Sequence, residues 1–400
     1  MKYTGSKKAD EKVEKDLKKV VKLIVDELNP ISIILFGGFG RGEGTYEIRE
    51  GKVVPLNDYD LYVVTKKKIP DERLEEIGKR CSNLLGKGGG EFVENYNEIY
   101  EKNKYFHVDL RWLGYNQLGK LKRINRTYEL KHGSAIIYGE DVRDKIPEIK
   151  VPLSEAFRYL TNPAGHLILC MDGRRLRNEF KKDEKFYLLH HIVKTYLAFA
   201  SSLIISEGEF EPNYTDTVKR CKKIYGEKFP ELIKKIVWAL DLKLSPKNRK
   251  VEDIRKKWFE ARDDLYFVLG YLAKKHLGVE AENVADLTKK IYKKLPYVYF
   301  TSYIPLPKFL AKKAFFSQYA LNVFYSARTK QFKSLLYWKD VGLRIFLASF
   351  LVLYSIDDEK MREKAYKQIK IFAPVKSKNW KDLREGLLYG FDKYYSQKII

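Results

Sequence analysis

Residues 31–64 read ISIILFGGFGRGEGTYEIREGKVVPLNDYDLYVV, and the order of features in this stretch decides the fold of the N-terminal part. Ile31 to Phe36 is a short β-branched, apolar run after Pro30, the pattern of a buried strand. Gly37, Gly38, Gly40, Gly42 and Gly44 follow, five glycines in eight residues. Asp58 to Val64 is a second strand that opens on Asp58-Tyr59-Asp60. Side chains at i and i+2 of a strand share a face, so Asp58 and Asp60 present two carboxylates about 7 Å apart at the Cα level. Such oxygen pairs suit Mg²⁺ or Mn²⁺, with Mg²⁺ keeping most of its shell for water and phosphate. Gly37 and Gly38 let backbone N–H groups approach a triphosphate with no Cβ in the way. Arg41 can add a charge-assisted contact to the same phosphates. The polar stretch Tyr46 to Leu56 reads as an inserted hairpin with Glu50-Gly51-Lys52 at its tip.

Outward from this segment the pattern is mixed α/β. Upstream, Val13, Leu17, Val20, Ile24 and Leu28 fall on one face of a helix over 8–28. Downstream, Pro70 to Leu85 reads as a helix broken by Gly86 to Gly90, and Tyr105 to Leu113 as a third strand. Phe106, Val108, Leu110 and Trp112 alternate onto one face of that strand, leaving His107, Asp109 and Arg111 on the other. An acid on a half-buried strand costs stability unless it is paired or metal-bound. Asp109 is therefore the candidate third carboxylate, able to join a metal site and to deprotonate an attacking hydroxyl.

In order and in strand context, Gly37-Gly38, Asp58-Tyr59-Asp60 and Asp109 resemble the signature of the nucleotidyltransferase superfamily of the DNA polymerase β type. The match covers residues 31–112. The resemblance implies transfer of a nucleoside monophosphate from an NTP such as ATP, with pyrophosphate leaving. It implies that Asp58 and Asp60 bind both metal ions, and that Asp109 ligates one and assists the nucleophile. The gap of about 19 residues between Gly38 and Asp58 is longer than is usual in that family, and the inserted hairpin accounts for it. A further likeness, from His132-Gly133-Ser134 through Ile137 to Val142 and into an all-helical portion, is to the layout of kanamycin-type nucleotidyltransferases. It carries no acceptor-binding residue with it. A P-loop is excluded because no Lys-Ser or Lys-Thr follows the glycines. A dinucleotide fold is disfavoured by the glycine spacing. An Asp-x-Asp glycosyltransferase gives no reason for the glycine cluster.

Over its 400 residues the chain holds 77 Lys+Arg against 53 Asp+Glu, a net charge of +24, with 44% hydrophobic and 32% charged residues. That composition excludes a disordered chain. Three well-separated cysteines exclude a disulfide framework and a cysteine-based zinc site. The N-terminus has no apolar leader core. Val341 to Ile356, the most membrane-like run, is short and carries Arg344. The expectation is a soluble, cytoplasmic protein without a membrane partner. Lysine and tyrosine richness also fits a thermophile.

The charge is uneven. Residues 291–400 hold 21 Lys/Arg against 8 Asp/Glu, and 291–339 hold nine basic residues, fourteen aromatics and no acid. The nine include Lys293, Lys294, Lys312, Lys313, Arg328 and Lys339. Basic groups neutralise phosphates and aromatic faces stack bases, so this region is a candidate RNA surface. The expected fold is α+β, a small mixed-sheet catalytic domain over 1–150 followed by a large helical region. The helical region divides into a bundle over 151–295 and the basic, aromatic-rich 296–400. The expected activity is nucleotidyl transfer with RNA favoured as acceptor. The alternatives are a small hydroxyl compound as acceptor, or a nucleic-acid-binding scaffold without turnover. Plainer roles are expected for Glu43 (a cap or surface group), for His190-His191 (helix packing) and for Arg174-Arg175-Leu176-Arg177 (a solvated helix end). Glu140 is a candidate acceptor-side base, and His107 a candidate substrate contact.

Overall fold

A computed structural model of the chain describes residues 2–49, 51–56, 58–86, 108–181, 184–245, 253–295, 322–323, 325–336, 339 and 341–395. The fold is α+β, with a small mixed sheet near the N-terminus followed by many helices. Two compact units form: Met1–Pro152 with Gly208–Lys250, and Leu153–Glu207 with Val251–Ile400. Residues 208–250 belong to the first unit, and residues on both sides of 295/296 belong to the second.

The first unit opens with α1 (Lys7–Leu28), whose buried Val13, Leu17, Val20 and Ile24 form the apolar stripe read from the sequence. Next come β1 (Ser32–Phe36), the one-turn α2 (Gly37–Gly40), the hairpin β2 (Tyr46–Arg49) and β3 (Lys52–Pro55), and β4 (Tyr59–Thr65). The hairpin lies where the insertion was expected, and Gly51 at its tip has φ +74°. Then follow α3 (Asp71–Leu84), β5 (Val108–Gly114), α4 (Asn125–His132) and β6 (Ala135–Gly139). The sheet order is β5-β4-β1-β6, with β4 and β5 parallel and the other pairs antiparallel. One face buries Ile33, Leu35, Tyr59, Leu61, Val63, Val108 and Leu110 against α1 and α3. The other buries Ile34, Tyr62, Val64 and Leu113 against Leu130, Val142 and Ile146. The helices α5 (Ser154–Arg158), α6 (Thr161–Leu169), α7 (Gly173–Leu176) and α8 (Glu184–Ile205) belong to the second unit. Then α9 (Tyr214–Tyr225) and α10 (Pro230–Leu244) complete the first.

The second unit continues with α11 (Ile254–Leu277), α12 (Val284–Lys294), α13 (Val341–Leu353), α14 (Glu359–Ile369) and α15 (Trp380–Tyr395). Trp258 of α11 is fully buried and its Nε1 donates to the Leu167 carbonyl of α6 at 2.9 Å. Arg384 of α15 donates to the carbonyls of Ile168 and Leu169, satisfying the end of α6. Among the described residues one helix, α8, is long and apolar enough to cross a bilayer, and 83% of its apolar window is buried within the structure. Arg175 is not solvated as expected. It is buried, with its guanidinium on the Glu184 carboxylate and the Cys170 carbonyl.

Candidate active site

The register of three strands assembles the predicted residues at one end of the sheet. Phe36, the last residue of β1, lies opposite Asp60 of β4, and Asp60 lies opposite Asp109 of β5. Because β4 and β5 are adjacent, Asp60 and Asp109 are one ladder step apart, about 4.8 Å at the backbone. Their neighbours Tyr59, Leu61, Val108 and Leu110 all turn into the α1/α3 core, so both acids lie on the opposite face, half-buried. Asp58 is also half-buried and immediately precedes β4. His107 lies outside the described residues.

The glycine turn meets the acids directly. Gly37 has φ +69°, and a Cβ there would overlap the Oδ2 atom of Asp60. A side chain at this position is thus barred twice, by backbone conformation and by the carboxylate. The Gly38 carbonyl accepts from the Glu43 N–H at 2.8 Å, closing the turn. Tyr59, between the two aspartates, fixes the start of β4 from behind. Its ring is fully buried edge-on to Phe39 of the turn, and its hydroxyl donates to Asp16 of α1 at 3.3 Å. Burial, and then the Asp16 carboxylate, hold that phenol well above its ordinary pKa.

Asp109 has a cation of its own. Arg111 Nε and Nη2 both donate to Asp109 Oδ2, at 2.9 and 2.6 Å. Two residues apart on one strand, the pair shares a face, and Tyr62 of β4 lies opposite Arg111. Burial works against the charged guanidinium, but Asp109, Tyr62 and Asp60 together outweigh it and raise the Arg111 pKa.

Among the described residues no three His, Cys, Asp or Glu side chains lie close enough together to hold a metal ion. Arg111 is the cation paired with Asp109. The donor chemistry nonetheless fits a hard divalent cation: the acids at this end of the sheet are all carboxylates. Asp60 packs directly on the turn, since a Cβ at Gly37 would overlap Asp60 Oδ2. To hold such an ion Asp58, Asp60 and Asp109 would have to draw closer together, and Asp109 is paired with Arg111 in this structure.

The residues after the glycine turn serve other partners. Arg41, expected on phosphate, is buried at 10% exposure, ion-paired to Glu129 of α4 at 3.4 Å and 5.1 Å from the ring centre of Tyr214. Glu43 is the cap anticipated for it. Its carboxylate accepts from the backbone N–H groups of Tyr214 and Thr215, both at 2.7 Å, and from the Thr215 hydroxyl at 2.6 Å, at the start of α9. Glu140 accepts from the Tyr115 hydroxyl at 3.2 Å and pairs with Lys145 at 3.4 Å.

Sequence reading did not assign Tyr59, Asp16, Arg111 or Tyr214 to this neighbourhood. Arg111 alone carried a signal, its place on the Asp109 face. In the basic segment, residues 296–321, with Lys308, Lys312 and Lys313, lie outside the described residues. Lys339 does not present its charge to solvent: its Nζ donates to the carbonyls of Tyr292, Lys293 and Leu295 at the end of α12, and burial lowers its pKa. No protein-family model matches the chain.

Proposed function

We propose that the protein is a metal-dependent nucleotidyltransferase of the DNA polymerase β type, moving a nucleoside monophosphate from an NTP to an acceptor, with RNA favoured. One observation carries the reading. A glycine turn, whose Gly37 has a left-handed backbone, abuts Asp60, and Asp60 stands opposite Asp109, although an inserted hairpin separates turn from acids in the chain. On this reading the three acids would supply hard oxygen ligands, and the glycine turn would let backbone N–H groups approach a triphosphate with no Cβ in the way. Asp109, once released from Arg111, would accept the proton of an acceptor hydroxyl as it attacks the α-phosphorus in line, the α–β phosphoanhydride bond breaking and pyrophosphate leaving. Bound at these carboxylates, divalent cations would supply charge to the attacking and leaving oxygens. The net charge of +24 favours a polyanionic acceptor over a small neutral one.

The test is transfer of label from α-³²P NTPs, each supplied separately with Mg²⁺ or Mn²⁺, to total RNA or to a small-metabolite extract. Wild type is expected to label RNA, and Asp58→Ala/Asp60→Ala to abolish the signal. Label confined to small compounds would replace RNA by a small hydroxyl acceptor. RNA binding with no label in either fraction would refute the enzyme and leave a scaffold.

A further inference from the structure

Two carboxylates one ladder step apart on a half-buried face repel each other unless a cation sits with them. In this protein that cation is a side chain. Arg111 grips Asp109 through two N–H groups, and its charge also falls on Asp60. Both hydrogen bonds end on a single oxygen, Oδ2, so the guanidinium holds the carboxylate from one side. The pair lies within one strand and the arginine side chain is 37% exposed, so it can part by rotation of a side chain with no backbone movement. A divalent cation drawing on Asp60 and Asp109 would find the second ligand already engaged.

We propose that Arg111 is the resident counter-cation of the carboxylate pair, competing with a divalent cation for Asp109 and leaving it when that cation binds. The inference rests on the metal-dependent reading above for the existence of the cation site, and adds to it a positioning residue which sets how tightly the site binds. It accounts for a strand that places an arginine on the same face as the acid, where a metal-ligand role alone would call for no cation.

The experiment is calorimetric titration of the full-length protein with Mn²⁺, using wild type, Arg111→Gln, Arg111→Lys and Asp60→Asn. Removing a unit charge about 6 Å from a divalent ion in a water-like medium corresponds to roughly tenfold in affinity. Arg111→Gln is therefore expected to bind Mn²⁺ about tenfold more tightly than wild type. It should also unfold at lower temperature without metal and recover on adding Mn²⁺. Arg111→Lys, which keeps the charge but not the two-point grip, is expected between the two, and it carries the comparison if Arg111→Gln does not fold. An arginine that merely braced the strand would lower the unfolding temperature without tightening Mn²⁺ binding. Variants binding Mn²⁺ as weakly as wild type, or more weakly, would overturn the proposal while leaving the metal site standing. Wild-type binding that is absent, or unaffected by Asp60→Asn, would overturn the metal site itself.

Discussion

At Gly37 a backbone constraint and a side-chain constraint coincide, and they can be separated because Gly51 shares only the first. Both glycines have positive φ, +69° and +74°, but a Cβ at Gly51 would meet nothing within 4 Å. Gly51→Ala should cost about 1–3 kcal/mol from backbone strain alone. Gly37→Ala should cost clearly more, because Asp60 must also move. Urea unfolding of the two variants measures the difference, and equal losses would show that Asp60 does not press on the turn. Much of this was legible in the sequence, since a glycine cluster and an Asp-x-Asp motif are local patterns. Arg111 was legible only in part. Strand alternation placed it beside Asp109, but its grip on one oxygen depends on side-chain torsions that no spacing encodes.

Among the elements, α9 has a start that depends on a residue 171 positions away in the chain. Asn213 caps it locally, and Glu43 adds three hydrogen bonds to its first turn. Glu43→Ala leaves two partly buried backbone donors without that carboxylate and is expected to cost about 1–2 kcal/mol. Glu43→Gln, which keeps one acceptor oxygen, should lose less. Chemical denaturation checks both, and an Ala variant as stable as wild type would remove the cap from the account. Strands β1 and β4, the β2–β3 hairpin and α1 were all readable because periodicity and turn residues specify them locally. Strand β6 was missed: Ala135–Gly139 is short, and its place beside β1 is decided by pairing. The partners of Arg41 were not legible for a related reason. Its partner Glu129 lies 88 residues on, and a guanidinium near glycines looks the same whether it meets phosphate or carboxylate.

For the whole molecule, acid sensitivity should reside in the second unit. His191 of α8 is 7% exposed, its ring 4.6 Å from that of His166 on α6. Burial, and then the Lys194 charge, push His166 down to about 3; burial, His166, His190 and Lys194 hold His191 well below its usual value. In the unfolded chain both take up protons near pH 6.5. Between about 6.5 and 3 the unfolded state therefore binds more protons, and stability falls as pH drops. The slope reaches about 1.4 kcal/mol per pH unit for each histidine, and nothing is lost above 6.5. Denaturant titrations across this range should show a flatter dependence for His166→Phe than for wild type, and identical slopes would refute the assignment. At this scale the sequence was least informative. Lysine type and clustering suggested a solvent-facing charge at residue 339, whereas burial makes Lys339 a helix cap. No local signal marks 208–250 as belonging with 1–152, because membership is settled by contacts made after the intervening helices.

That interruption bears on how the protein is made. Glu43 leaves the ribosome 171 residues ahead of its partner Tyr214, which at ordinary elongation rates is a wait of roughly 10–30 s. For that interval the nascent first unit carries a carboxylate whose final companions, Tyr214 and Thr215, have not been synthesised. Helices α5 to α8, destined for the other unit, emerge in between. Completion of the first unit is thus tied to translation past Lys250, and a nascent chain halted earlier would display the glycine turn without the helix that secures it.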